Sequence, residues 1–294
     1  SGLAAHSSEL SAFYKLKLSA GEQSWLFWLI FAAFAVKMPI FPFHTWQPDT
    51  YTEAPTPATM LLAGIMLKMG IYGTLRWLLP VVPLGVSQWQ KPVIILAVIG
   101  VIYGALIAIR QRDMKRLIAY SSLSHVGLMA AGVFSLTQIG LQGAVIQMLA
   151  HGVNVVGMFF VADAIERRTG TRFIPDLGGL TRRTPILSVC FLVMLLSTVA
   201  LPLTGGFVGE FLVLVGAFKV SFWLALLGSS GMILGAVYML YLYRRVIFGT
   251  ITRDDLRSIL DLSPREIAIF APLIALTLWM GVYPSSFTQF FDAT

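Results

Sequence analysis

The feature that most constrains this chain is a repeated unit: an apolar run of about 20 residues, closed by prolines or by a cluster of arginines. Pro92 to Ile109 is such a run and contains no charge. A run of this length matches the apolar thickness of a bilayer when wound as a helix. Inside hydrocarbon, only helices and closed barrels satisfy their own backbone groups, and 20-residue runs are helical rather than strand-like. Composition agrees: 57% of residues are hydrophobic and 12% charged, against about 25% charged in soluble domains. Mean hydropathy is +0.79. The chain is expected to be an all-α polytopic membrane protein.

Residues 1–23 read as a polar loop, and residues 24–294 as the transmembrane domain. The runs predict eight spans. The first covers Gln23 to Val36 and is broken by Pro39 and Pro42, with a short continuation from His44 to Glu53. Pro55 and Pro57 open the second, where first-turn proline is tolerated, and it extends to about Leu79. A turn at Pro80, Pro83 and Gly85 follows, with Trp77 and Trp89 as interface anchors. Further spans are Pro92 to Ile109, Lys115 to Phe134 and Gly140 to Ala164. Pro185 to Phe218 is too long for one straight crossing and contains LPLTGG (Leu201–Gly206), so it is read as a second broken helix. Phe222 to Tyr243 and Ile267 to Val282 complete the set.

Loop charge tests that count. Arg110, Arg112, Lys115 and Arg116 precede the fourth span, whereas no Lys or Arg separates the fourth from the fifth. Arg167, Arg168, Arg172, Arg182 and Arg183 precede the sixth, and Arg244, Arg245, Arg253, Arg257 and Arg265 precede the eighth. Rich and poor loops alternate, as the positive-inside rule requires, and both termini then face the outer side. The discordant loop follows the first span, carrying Asp49 and Glu53 and no basic residue. The net charge of +7 is spread over these loops and does not mark a nucleic-acid surface. The single cysteine, Cys190, lies in an apolar run and excludes disulfides, cysteine-ligated zinc and iron–sulfur clusters.

Five ionisable residues fall within spans. Lys37 closes the first apolar run beside the proline break. Lys68 sits in the middle of the second, where a lysine costs roughly 2.5–3.5 kcal/mol to insert. Ser121, Ser124 and His125 share one face of the fourth span, and Gln147, His151 and Asn154 one face of the fifth. Glu210 follows LPLTGG. For each residue a packing role competes with a functional one. Histidines hydrogen-bond between helices, Lys37 snorkels if the break lies near an interface, and Glu210 forms a structural cap or ion pair. Taken together, Lys, Lys, His, His and Glu at mid-membrane favour proton movement, since buried ionisable groups must pair or face water and broken helices supply free backbone groups in transporters. No G-x-G-x-x-G, Walker A or metal-pair spacing is present. Gly100–Gly104 and Gly231–Gly235 fit helix packing by small residues.

The stretches VKMPIFPFHTWQPDTYTEAPTPATMLLAGIMLKMGIYGTLR, DMKRLIAYSSLSHVGLM, GAVIQMLAHGVNVVGMFF and LPLTGGFVGEFLVL resemble the antiporter-like membrane subunits of respiratory complex I (NADH–quinone oxidoreductase). The similarity is to the M type, counterpart of mitochondrial subunit 4, and covers residues 20–290. It implies an inverted-repeat fold of fourteen spans, of which this chain would supply spans seven to fourteen as a carboxy-terminal fragment. It also implies roles. Lys37 matches the lysine of the amino-terminal half-channel, Lys68 the lysine connecting the two halves, and His125 and His151 the central polar axis. Glu210 matches the acidic residue on the exit side, a glutamate where L- and N-type relatives carry lysine. Lys37's acidic partner in the family lies on the fifth span, before this chain begins. The implied protein is a proton-translocating subunit with no cofactor or redox centre of its own, set in the bacterial inner membrane among other complex I membrane subunits and lipid. A multi-subunit cation/proton antiporter or a membrane-bound hydrogenase shares these motifs, and a structural scaffold is the rival of another class.

Overall fold

A computed structural model of the chain describes residues 9–251 and 253–289. Residues 1–8 of the polar loop lie outside that range. The rest of the loop is not wholly irregular: a turn of helix covers Leu10–Phe13. Helix α1 (Ala20–Lys37) starts inside the loop, because Ser19 and Glu22 close a capping box around its first turn. It ends at Lys37, where Pro39 and Pro42 cannot continue a helix. The break is well satisfied: Met38 N–H donates to Phe34 O, Ile40 N–H to Ala35 O, and Trp46 Nε1–H to Val36 O. The chain resumes as α2 (Trp46–Glu53), leaving His44 in the turn.

Helix α3 (Thr56–Val81) contains two π-helical segments, Leu62–Met66 and Thr74–Leu78. The expected turn at Pro80, Pro83 and Gly85 shrinks to Val82. Pro80 belongs to α3, and Pro83 is the first residue of α4 (Pro83–Arg110), a position where its missing N–H costs nothing. Gly85 lies inside α4 because α1 crosses there: a Cβ would sit 2.5 Å from Gln23 O. Then follow α5 (Met114–Phe134), α6 (Gln138–Thr169), α7 (Pro185–Thr198), α8 (Gly205–Val220), α9 (Phe222–Ile247) and α10 (Pro264–Val282). The expected spans are present, but α4 begins at Pro83 rather than at Pro92, which lies inside it, and α6 and α9 run several residues further into the loops.

Six of these helices are long and apolar enough to cross a bilayer: α3, α4, α5, α6, α9 and α10. The broken pairs α1–α2 and α7–α8 add two traverses. The protein is therefore an all-α integral membrane bundle. Helix α5 is its axis, 94% buried across its apolar window, whereas α10 at 17% runs along the periphery. Enclosure of α5 is what allows it to carry Ser121, Ser122, Ser124 and His125.

The arginine-rich loops meet at one end of the bundle. Arg172 bonds Asp113 at 2.6 Å, and Ile174 N–H donates to Arg112 O across an isolated bridge between Asp113 and Phe173. Gly179 N–H reaches Phe248 O. Arg168 grips both Glu266 oxygens, at 2.9 and 2.6 Å, and the Leu260 and Asp261 carbonyls. Asp261 in turn accepts from Ile186 and Leu187 N–H at the start of α7. The discordant acidic loop lies at this same end: Asp49 pairs with Arg116 at 3.0 Å and Glu53 faces Arg172 at 3.9 Å. It lacks basic residues because its carboxylates answer those of its neighbours.

Small residues set the helix crossings. A Cβ on Gly104 would lie 3.0 Å from Tyr120 O, and Gly231 packs on Val101, but Gly100 is in ordinary contact and Gly235 meets only Tyr238 of its own helix. Another close crossing is one the spacing does not single out. On α6 and α8, a Cβ on Gly143 would fall 2.6 Å from Val213 N, and one on Gly216 2.5 Å from Gly140 Cα.

Candidate functional site

Each buried ionisable group is positioned by an irregularity in its helix or by its neighbour. Lys68 lies just beyond the first π-helical segment, whose widened turn exposes carbonyls to side chains. Its Nζ donates to Ala63 O inside that segment and lies 2.8 Å from His151 Nδ1 on α6. Glu210 sits in the second turn of α8, directly after the second break. There Ala200 and Leu203 hold positive φ values of 57° and 75°, a left-handed geometry costly for non-glycine residues. The break delivers Gly205, Gly206 and Gly209 against α6 and α7. A Cβ on Gly205 would lie 3.3 Å from Ala150 Cβ. The start of α8 thus approaches α6 closely, and its helix dipole favours a carboxylate there.

Glu210 Oε1 is 2.7 Å from His125 Nδ1 and accepts from Gln147 Nε2 at 3.0 Å. The rings of His125 and His151 face one another with centroids 5.5 Å apart and no direct hydrogen bond. The result is a line, Lys68–His151···His125–Glu210, crossing from α3 through α6 and α5 to α8. All four residues are at most 9% exposed. Two hydrogen-bonded pairs form its ends, and a small cavity lined by His125, His151, Gln147, Asn154 and Ser122 adjoins the gap between them.

Four of the five residues expected from the sequence are thus brought together. Lys37 is not among them. It is exposed at the end of α1 and makes no ion pair or side-chain hydrogen bond among the described residues. Its neighbour Met38 packs on α3, where a Cβ on Gly70 would lie 2.6 Å from Met38 N. Other polar residues of the two predicted faces serve packing. Ser124 Oγ donates to Val101 O, Ser121 accepts from Tyr238 O–H, and Asn154 accepts from Thr277. Gln147 is a direct Glu210 partner that the sequence reading placed on the right face without assigning it to the line; its i, i+4 relation to His151 was the available signal. Among the described residues no group of three or more His, Cys, Asp or Glu could hold a metal ion.

Two interrupted helices, with a buried file of ionisable groups ending at one of them, define a transporter-like integral membrane bundle. Comparison with known proteins narrows the class. Residues 4–235 match the family described as "NADH:quinone oxidoreductase/Mrp antiporter, TM", and the chain belongs to that family. It is 48% identical over 272 residues to NADH-quinone oxidoreductase subunit M of Rhodobacter capsulatus, covering 92% of this chain and 53% of that protein. It is 41% identical to NADH-ubiquinone oxidoreductase chain 4 of Marchantia polymorpha, covering 96% and 57%. Among solved structures, a chain of respiratory complex I from Thermus thermophilus superposes with a TM-score of 0.90 at 35% identity, covering 97% of this chain and 60% of that one. The chain spans little more than half the length of the curated relatives it matches.

Proposed function

We propose that this chain is the carboxy-terminal portion of an M-type proton-translocating subunit of an NADH–quinone oxidoreductase. The observation that carries the reading is the buried line from Lys68 to Glu210, in a chain 48% identical to a subunit of that name. In this reading residues 24–294 form the transmembrane domain, and the arginine-rich end faces the cytoplasm of a bacterial cell, with both termini on the outer side. The partners are lipid and the other membrane subunits of the complex. Electrons move elsewhere; this chain handles protons only.

The chemistry follows from the geometry. A proton arriving at Lys68 passes to His151 Nδ1 through a 2.8 Å contact. Transfer to His125 closes the gap between the rings, and His125 delivers to Glu210 through the 2.7 Å contact. Lys37, exposed beside the first break and outside this line, corresponds to the lysine of the family's amino-terminal half-channel. A change of charge at one end alters the proton affinity of the next group, because opposite charges within about 4–6 Å favour ionisation and like charges oppose it. Electron transfer thereby drives protons along the line.

The test is Glu210→Ala and Lys37→Ala in the full-length subunit, assembled in its complex and reconstituted in vesicles. Both are expected to lower proton pumping and coupled quinone reduction. Parental pumping stoichiometry in both variants removes the mechanism. A second reading, a subunit of a multi-subunit cation/proton antiporter, is favoured by the joint family description. Sodium-dependent proton flux without NADH would select it.

A further inference from the structure

Away from the buried line, the arginine-rich end of the bundle holds two adjoining cavities. One, of about 370 Å³, is lined by Arg244 and Arg245 at the end of α9, by Phe248 and Gly249 just past it, and by Leu177 and Gly178 of the α6–α7 loop. The other is lined by Arg182, Arg183 and Arg257 and shares Gly249 and Thr250 with the first. Backbone contacts fix the walls. Gly179 N–H donates to Phe248 O at 3.0 Å, and Gly179 holds a φ of 68° so close to the next strand of loop that a Cβ would lie 3.0 Å from Ile251 N. The mouth is open at Gly249, where a Cβ would meet nothing within 4 Å.

Elsewhere at this end, Arg116, Arg167, Arg168 and Arg172 each have a carboxylate partner. Arg182, Arg183, Arg244 and Arg245 are exposed and, among the described residues, make no ion pair or side-chain hydrogen bond. The positive-inside rule explains arginines on this side, but it does not require unpaired ones to wall cavities, where like charges repel. A bound anion relieves that repulsion, and the guanidinium fork matches the oxygens of a phosphate. The neighbouring surface identifies the rest of the ligand. Ile233, Val237 and Tyr241 are exposed on α9 at i, i+4 and i+8, and Arg244 and Phe248 continue the same face at i+11 and i+15. An apolar stripe on a membrane helix thus runs directly into the basic cavity, with an aromatic side chain on either side of the arginine, as at a membrane interface. A free phosphate uses only the cavity. A phospholipid uses both parts, laying an acyl chain along the stripe and its phosphate among the arginines.

We propose that these cavities form a binding site for the headgroup of an anionic phospholipid. Arg244 and Arg245 hold its phosphate, and Arg182 and Arg183 add positive charge from the adjoining cavity. A zwitterionic headgroup brings its own cation among the arginines and is disfavoured. The bound lipid bridges the α6–α7 loop and the end of α9, reinforcing the backbone bond from Gly179 to Phe248. The site is separate from the Lys68–Glu210 line, and the assignment does not depend on what that line does.

The experiment is native mass spectrometry of the complete subunit, delipidated and titrated in turn with phosphatidylglycerol, phosphatidylcholine and inorganic phosphate. The parent should bind phosphatidylglycerol more tightly than phosphatidylcholine, and inorganic phosphate should not displace it. An arginine near an anionic lipid surface is worth about 5-fold in affinity, so Arg244→Gln/Arg245→Gln should bind phosphatidylglycerol about 25-fold more weakly. The control pair Arg110→Gln/Arg112→Gln removes the same charge at the same end but outside both cavities, and should bind like the parent. Parental affinity in the cavity variant, or an equal loss in the control pair, overturns the site. Displacement of the lipid by an equal concentration of inorganic phosphate overturns its assignment to a lipid. Should Arg244→Gln/Arg245→Gln lower the thermal midpoint of the subunit, Arg182→Gln/Arg183→Gln is read in its place: a loss confined to phosphatidylglycerol supports the proposal, and unchanged binding overturns it.

Discussion

Replacing Lys68 with methionine separates a proton-carrying lysine from one that only locks helices together. The side chains are similar in length, so α3 and α6 keep their packing. The amine leaves two partners behind, Ala63 O and His151 Nδ1. Each buried group left unsatisfied costs about 1–3 kcal/mol. Against this, a charged lysine at mid-membrane costs roughly 2.5–3.5 kcal/mol to insert, and that penalty disappears. The opposing changes nearly offset, so the variant should fold and assemble with its midpoint of unfolding little altered. Proton transfer has no such compensation, since methionine cannot bind a proton and His151 loses its donor. A placed acid–base group contributes about 10²–10⁴-fold, so pumping through this subunit should fall by at least the lower figure. The assay is dye quenching in vesicles holding the complete subunit in its complex, expressed per NADH oxidised. Full pumping by an assembled Lys68→Met complex would refute the reasoning and leave the lysine a structural role.

Other expected outcomes follow from single contacts. Arg168→Ala removes the grip on Glu266 and on the Leu260 and Asp261 carbonyls; because the pair is only 15% and 21% exposed, the cost is set at about 3 kcal/mol, read as a lower thermal midpoint of the purified subunit. Gly143→Ala places a methyl 2.6 Å from Val213 N and should destabilise by about 1–3 kcal/mol through overpacking, measured the same way, whereas Gly235→Ala, with no neighbouring helix in reach, should be close to neutral. Sidedness is tested by impermeant thiol labelling, with Cys190 buried and silent. Ser258→Cys should react from the arginine-rich side and Ser87→Cys, near the Val82 turn, from the opposite side.

Much of the architecture was legible because hydrocarbon admits so few solutions. An apolar run of about 20 residues must be a helix and arginines must collect on one side; closely spaced prolines end α1, whereas Pro92 and Pro272 lie inside α4 and α10. The spans, both breaks and the common side of the basic loops were therefore read directly. Helical periodicity also placed Gln147, His151 and Asn154 on one face of α6. Periodicity acts within a helix, however, and says nothing about its rotation and depth against a neighbour. That relation is set by where glycines let backbones meet, as Gly143 and Gly216 do between α6 and α8. Only there was it decided that Glu210 meets His125 and Gln147 rather than a lysine, and that Ser121 and Ser124 turn to Tyr238 and Val101. The same relation left Lys37 exposed beside Met38. Chain chemistry determined which ionisable groups lie along the apolar runs; helix-to-helix contact determined which of them come within hydrogen-bonding distance, because a separation of about 3 Å is one that no single helix dictates.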